Sequence, residues 1–289
     1  MRVALFHNGD AGDGVSLGHV TELIQQHGHE LVRVVERTAD FDRLLAVEPE
    51  AVIAAGGDGT VATALRRLAG GDVPLAILPT GTANNIARSL GGDRPIAERI
   101  AGWSLASRQG FDIGIVRGPF GERHFVEAVG TGLVASGIAT MDATPADHLP
   151  SRSRVSWAVE RYRQVLADLP RQPMTLTLDG ERVLVQALLV EVLNTRSVGP
   201  GLLLCQHATP SDGAFSVVVA TEDDRGRLAS YLQERRAGRE AGLTLPTWCA
   251  CEVVLDGWTW LHVDDAVLRS DSPAAAEMRM RAGAVEVLR

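Results

Sequence analysis

The stretch Ala51-Val52-Ile53-Ala54-Ala55-Gly56-Gly57-Asp58-Gly59-Thr60-Val61-Ala62 decides the fold. Its five apolar residues read as a strand buried on both faces. Glycines follow at once, and a helix is expected from about Val61 to Leu68. Glycines between a strand and a helix let the backbone approach an anion closely, and the helix start favours negative charge. The pattern recurs one strand later. Leu75 to Leu78 reads as a strand ending in Pro79-Thr80-Gly81-Thr82-Ala83-Asn84-Asn85. Open α/β sheets bind ligands at such strand ends, so the two loops point to a nucleotide. Asp58 carries two readings: a carboxylate linked to phosphate through a metal, or a helix cap.

Outward from this stretch the alternation continues. Strands are expected at Val3–Phe6 and Leu31–Val35, and helices at Leu17–Gln26 and Phe41–Ala46. This predicts a doubly wound, mostly parallel sheet covered on both faces. After about Gly110 the strands lengthen and alternate: Phe111–Val116, Phe125–Val129, Met174–Leu178, Val183–Leu193, Phe215–Ala220, Glu252–Leu255 and Trp258–Val263. Asp179-Gly180 and Asp256-Gly257 read as hairpin turns. Two helices, about Val155–Leu169 and Arg227–Arg239, interrupt them, and Ser270–Ala275 reads as a linker. The expected division is an α/β domain over residues 1–110 with a return strand within 276–289, and a β-rich, sandwich-like domain over 111–275.

Composition narrows the chemistry. The 289 residues carry a net charge of −8, with no long basic run, so no nucleic-acid partner is expected. All 28 basic residues are arginine. Without lysine there is no Schiff base, no Walker A lysine and no protein-kinase lysine. Any phosphate must be met by backbone N–H groups, arginines and a metal. Three cysteines suggest a reduced, cytoplasmic chain, and no apolar run is long enough to predict a membrane helix. Arg152, Arg154, Arg161 and Arg163 surround Trp157 and Tyr162, and Arg225, Arg227, Arg235, Arg236 and Arg239 surround Leu228, Tyr231 and Leu232. These helices suit either a membrane interface or the packed flank of a sheet. Trp258 and Trp260 share a strand face and read as core, and the scattered histidines read as structural.

The two loops carry a resemblance to the diacylglycerol kinase catalytic-domain family, in its bacterial lipid-kinase branch, related to sphingosine kinases and NAD kinases. Gly56 to Thr60 is similar to the family's glycine signature, and Gly81-Thr82-Ala83-Asn84 to its Gly-Thr-x-Asn loop. Asn8-Gly9-Asp10-Ala11-Gly12 resembles a degraded first loop, Pro210 to Phe215 the Asp-Gly turn before a strand, and Arg281 to Leu288 the last strand. The resemblance implies an α/β nucleotide domain and a β-sandwich domain with a nucleotide cleft between them. It implies transfer of the ATP γ-phosphoryl group, with Mg²⁺, to a lipid hydroxyl such as that of diacylglycerol. It implies ATP contacts from Asn8, Thr38, Gly56, Gly57, Asp58, Gly59, Thr60, Val61, Ala62, Gly81, Thr82 and Asn84. Asp212, with the carbonyls of Thr209 and Ala214, matches the family's second-domain Mg²⁺ site, against the alternative of a plain turn. Asp58, Asp264 and Asp265 are the candidate catalytic carboxylates. The family's Asp-Gly-Glu base motif reads Asp264-Asp265-Ala266 here, and its Asn-Glu after the glycine loop reads Ala62-Thr63. A homodimer and a lipid substrate at the inner membrane face complete the expectations. Two other readings stay open: a nucleotide- or lipid-binding homologue with little turnover, and phosphorylation of a soluble hydroxyl compound such as NAD.

Overall fold

The computed structural model describes residues 1–9, 15–91, 94–143, 149–239 and 241–289, and the side chains at 151 and 152 lie outside the description. The chain divides into two compact units. One holds Met1–Ile113 with Ala282–Arg289, the other Gly114–Arg281.

In the first unit, β1 (Arg2–His7), α1 (Leu17–Gln26), β2 (Glu30–Val35), α2 (Asp42–Leu45), β3 (Ala51–Gly56), α3 (Asp58–Leu68) and β4 (Leu75–Pro79) alternate in order. β1 lies between β2 and β3, β3 pairs with β4, and every pair is parallel. The core is Val3, Leu5, Ile53, Ala55, Ala76 and Leu78 from the strands, with Val20 and Ile24 from α1. Two helices beyond the sequence expectation follow, α4 (Asn85–Ser89) and α5 (Ile96–Gly102). α3 also starts earlier than its periodicity suggests. It opens at Asp58, inside the glycine stretch, with Gly57 at the cap position.

The strands β5 (Arg108–Gly118), β6 (Gly121–Phe125) and β7 (Ala128–Gly132) come next. The expected single strand Phe125–Val129 is thus broken, because the N–H groups of Val126, Glu127 and Ala128 all turn to the carboxylate of Asp264. The helix α6 (Leu133–Asp142) was not expected. Buried against the sheet and against Tyr162, it has no polar face to give a helical period. α7 (Ser151–Asp168), β8 (Gln172–Leu178), β9 (Glu181–Leu193), the short β10 (Ser197–Val198) and β11 (Leu202–Leu203), β12 (Phe215–Thr221), α8 (Arg225–Arg236) and β13 (Thr247–Ala250) lead to β14 (Glu252–Val263) and β15 (Ala266–Leu288).

The hairpin at Asp179-Gly180 joins β8 to β9, both turn residues having positive φ. Asp256-Gly257 is not a turn. β14 runs straight through it, and a register shift against β15 marks a bulge at Gly257, whose φ is +107°. The expected linker Ser270–Ala275 lies inside β15, an unbroken strand whose tail, at Val287, pairs in parallel with Leu75 of β4. Inside the sandwich are Phe125, Leu176, Val192, Phe215, Leu255 and Trp258. α6, α7 and α8 cover the outer face, where Tyr162, Leu228, Tyr231 and Leu232 are buried.

Arginines of these helices find acidic and aromatic partners. Arg163 and Arg236 both pair with Glu160, Arg225 with Glu222, Arg227 with Asp224 and Arg239 with Glu234. Arg161 lies over the Trp157 ring, 5.1 Å from its centroid.

Candidate functional site

Parallel strands bring the carboxyl ends of β1 to β4 to one edge of the first unit's sheet. Gly57 and Gly81 meet there. A Cβ on Gly81 would lie 2.3 Å from the Cα of Gly57, and one on Gly57 would lie 3.3 Å from the Cα of Gly81. Both loops therefore need glycine to come this close. Asn84 closes the second loop on itself: its Oδ1 accepts from the Gly81 N–H at 3.0 Å and its Nδ2 donates to the Gly81 carbonyl at 2.8 Å. Its φ of +51° is a left-handed conformation that Asn tolerates.

Asp58 ties the loops together. Its carboxylate accepts from the N–H of Ile86 at 3.0 Å and is also bonded by the N–H groups of Asn85 and Asn84. The carboxylate thus caps α4 from another element, while α3 itself starts at Asp58 with Gly57 at its cap and no side-chain capping bond. Burial pushes its pKa up, against those hydrogen bonds and the nearby Arg88. Asn8 donates to Thr60 Oγ1 at 3.3 Å, which joins the end of β1 to the first turn of α3. Thr60, Val61 and Ala62 are buried, and the Thr60 N–H bonds the Gly57 carbonyl. The Val61 N–H already bonds the Gly57 carbonyl. Helix geometry leaves the N–H groups of Asp58 and Gly59 without partners inside α3, directed to the anion side of the loop. Thr82 is exposed, and Thr38 is exposed beyond β2, two strands away from β3. Asp10, Ala11 and Gly12 of the first loop lie outside the described residues.

The second unit holds the remaining candidates. Asp212 is exposed and its Oδ1 accepts from the Ala214 N–H at 3.2 Å, next to Gly213 at φ +76°. Thr209 Oγ1 and Ser211 Oγ share a hydrogen bond of 3.1 Å. Among the described residues no group of three or more His, Cys, Asp or Glu is placed to hold a metal. A cation here would rest on one carboxylate and backbone carbonyls, a hard-oxygen set whose chemistry fits Mg²⁺.

Asp264 and Asp265 form the tight turn between β14 and β15, so the alternation of strand faces does not separate them. Asp264, at φ +52°, is occupied. Its carboxylate accepts from the N–H groups of Val126, Glu127 and Ala128, at 2.8 Å from Glu127. Asp265 beside it is exposed.

Sequence reading missed the buried pair beneath this turn. His262 and Glu191 are both within 1% of full burial, and His262 Nε2 lies 2.8 Å from Glu191 Oε2. Gly130 makes room, since a Cβ there would strike the Glu191 carboxylate. His262 Nδ1 donates to the Asp264 carbonyl at 2.8 Å, so a single proton is left for the Nε2–Oε2 contact. Burial lowers the His262 pKa, but Glu191 and the bond to Asp264 outweigh it and the net shift is upward. Burial likewise pushes the Glu191 carboxyl up, against the pull of His262. The only sequence signal was a histidine and a glutamate at core-facing strand positions.

A pH dependence follows. A raised folded-state pKa stabilises below the unfolded value of 6.5, and that stability is lost as pH rises through the folded value. The thermal midpoint is expected to fall as pH rises above 6.5, and His262→Gln is expected to flatten that slope. A midpoint in the wild type that stays level over this range would contradict the shared proton.

Residues 2–116 match the family described as the diacylglycerol kinase catalytic domain, and residues 132–287 match the YegS C-terminal NAD kinase beta sandwich-like domain. The chain is 33% identical over 224 residues to a diacylglycerol kinase of Mycobacterium tuberculosis (strain ATCC 25618 / H37Rv), covering 71% of this chain and 67% of that protein. It is 30% identical over 241 residues to lipid kinase YegS of Escherichia coli (strain K12), covering 76% and 74%. A crystal structure of a diacylglycerol kinase from Bacillus anthracis str. Sterne shares the fold, with a TM-score of 0.69 at 18% identity over 99% of this chain and 96% of that one. The parallel-sheet unit and the β-sandwich thus fall under these two family descriptions, and the chain belongs to the diacylglycerol kinase family of lipid kinases.

Proposed function

We propose that this protein binds ATP on the Gly57 and Gly81 loops and transfers its γ-phosphoryl group to a lipid hydroxyl, diacylglycerol being the model acceptor. The observation that supports this best is the backbone contact of the two loops over the first turn of α3. It sets N–H groups where phosphate oxygens would lie, with no lysine needed. Asp58 holds the loops in register rather than meeting phosphate directly. Asp212, with the carbonyls of Thr209 and Ala214, would hold Mg²⁺, which supplies charge neutralisation on the phosphates when bound. Asp265 is the carboxylate of the turn to accept the hydroxyl proton, since Asp264 is committed to three N–H groups. The lipid is met at a membrane surface, and the protein works as a homodimer.

A second reading, a nucleotide- or lipid-binding homologue with little turnover, is favoured by Ala266 in place of the family's Glu and by the commitment of Asp264. Radiolabel transfer from γ-labelled ATP into a mixed-lipid extract with Mg²⁺ separates the two. The expected result is a labelled lipid band that is absent from the Asp58→Ala control. ATP binding by calorimetry with no labelled band overturns the kinase reading, and label on NAD without lipid moves the acceptor. Asp58→Ala should also abolish the stabilisation that ATP and Mg²⁺ confer. If that stabilisation is unchanged, the loop assignment falls.

A further inference from the structure

The buried Glu191–His262 pair reaches the turn that carries Asp265. β7 lies between β9 and β14, so Gly130 stands opposite Glu191 on one side and opposite His262 on the other. The Glu191 carboxylate lies over Gly130, where any Cβ would strike it. His262 Nδ1 then donates to the Asp264 carbonyl at 2.8 Å. That carbonyl belongs to the peptide group whose nitrogen is that of Asp265, and a peptide group is planar. Fixing the carbonyl therefore fixes the plane from which Asp265 departs. Asp264 itself is held at φ +52°, a left-handed conformation that costs a residue with a side chain.

Nδ1 carries a proton as long as it bonds a carbonyl, because a carbonyl only accepts. In the protonated pair a second proton lies between Nε2 and Glu191 Oε2, 2.8 Å apart. Once that proton leaves, one ring proton serves two acceptors. The Glu191 carboxylate is charged and buried, so it is the stronger acceptor, and the ring proton belongs on Nε2. Glu191 Oε1 is buried with no hydrogen-bond partner among the described residues, so the anion has all the more need of that proton. The Nδ1 lone pair then faces the Asp264 carbonyl, and the bond to the turn is lost. We propose that His262 is a positioning residue for the Asp265 turn, holding it while the pair is protonated and releasing it when the pair loses its proton. The inference rests on the reading of Asp265 as the base. Among the described residues, two other ionisable groups act on the pair. The Asp264 carboxylate favours a charged His262 ring. The Tyr162 phenol is pushed up by burial, Glu191 and Asp142, so it keeps its own proton. The neighbouring strands β7 and β15 set only Gly130 and Val267 opposite His262.

The test is label transfer from γ-labelled ATP to diacylglycerol in phosphatidylcholine vesicles with Mg²⁺, followed against pH, with kcat separated from the KM for ATP. In the wild type kcat is expected to fall about tenfold as pH rises from 6.5 through the raised value, the worth of about one hydrogen bond, while KM holds. Two variants separate the ring nitrogens. The amide nitrogen of Asn can stand in for Nδ1, so His262→Asn keeps the donor to Asp264 and gives up Glu191. The longer Gln reaches towards Glu191 as Nε2 does and gives up Asp264. His262→Gln is expected to have a kcat about tenfold lower already at pH 6.5, and His262→Asn to recover turnover and lose the alkaline fall. Ring ¹⁵N spectra read the tautomer directly. The His262 proton is expected to pass from Nδ1 to Nε2 over the same range. The wild-type profile and spectra stand even if a variant folds poorly. An unchanged kcat in His262→Gln, an alkaline fall that persists in His262→Asn, a level wild-type kcat, or a ring that keeps Nδ1–H after deprotonation would each overturn the proposal. A wild type that labels no lipid at any pH sinks the kinase reading instead, and the ring spectra alone then decide the switch.

Discussion

Gly81→Ala is expected to remove ATP-induced stabilisation and to destabilise the free protein by about 1–3 kcal/mol. The new methyl would stand 2.3 Å from the Cα of Gly57 and 2.9 Å from Asn84 Oδ1. The first of these is backbone, which cannot rotate away. The loops must part, and the capping bonds from Asp58 across to α4 lengthen with them. Gly59→Ala is the informative contrast. Nothing lies within 4 Å of its Cβ, so the fold should keep its stability. A methyl on that turn still obstructs the approach of a phosphate, so ATP affinity should fall. Thermal scans with and without ATP, together with calorimetry, check both. A Gly81→Ala protein with the midpoint and ATP response of the wild type would remove the loop contact from the account.

Asp264→Ala is expected to cost about 3 kcal/mol, because it leaves the N–H groups of three consecutive residues without their acceptor. Alanine is also strained at a φ of +52°. At roughly 2–4 °C per kcal/mol the midpoint should drop roughly 6–12 °C. Asp264→Asn keeps the backbone conformation and loses the charge, so it should fall between. Asp265→Ala, at an exposed position, should leave the midpoint within about 0.5 kcal/mol of wild type. If Asp265 is the base, the same change lowers turnover by about 10² to 10⁴ with ATP affinity intact. A normal midpoint for Asp264→Ala would show that its carboxylate does not anchor the β6–β7 junction. Full turnover in Asp265→Ala would take that residue out of the chemistry.

Ala51 to Ala62 could be read because the signals there are local. A continuous apolar run, glycines and a helix period each act over a few residues, and the parallel sheet follows from their alternation. The same holds for Asp179-Gly180, where two residues suffice for a hairpin. Asp256-Gly257 carries the same letters and became a bulge, because β8 pairs β14 up to Asp256 and β15 keeps it paired beyond, from Trp258 onward. The turn composition was right and the pairing overrode it. Ser270–Ala275 lacks apolar alternation, yet it is strand, with Arg269 before it and Ala274 and Ala275 within it paired to β14.

For the site, residue types and spacing were enough to name the two glycine loops and the family to which they belong. They could not say what each carboxylate does. Asp58 and Asp264 read alike as acidic residues in motifs, and both turn out to hold backbone N–H groups from segments 28 and about 136–138 positions away. Glu191 and His262, 71 positions apart, are side by side only because β7 carries glycine between them. A local propensity is a property of neighbouring residues and survives in the linear chain. A carboxylate's partner, its burial and its proton depend on which distant strand the folded chain places beside it.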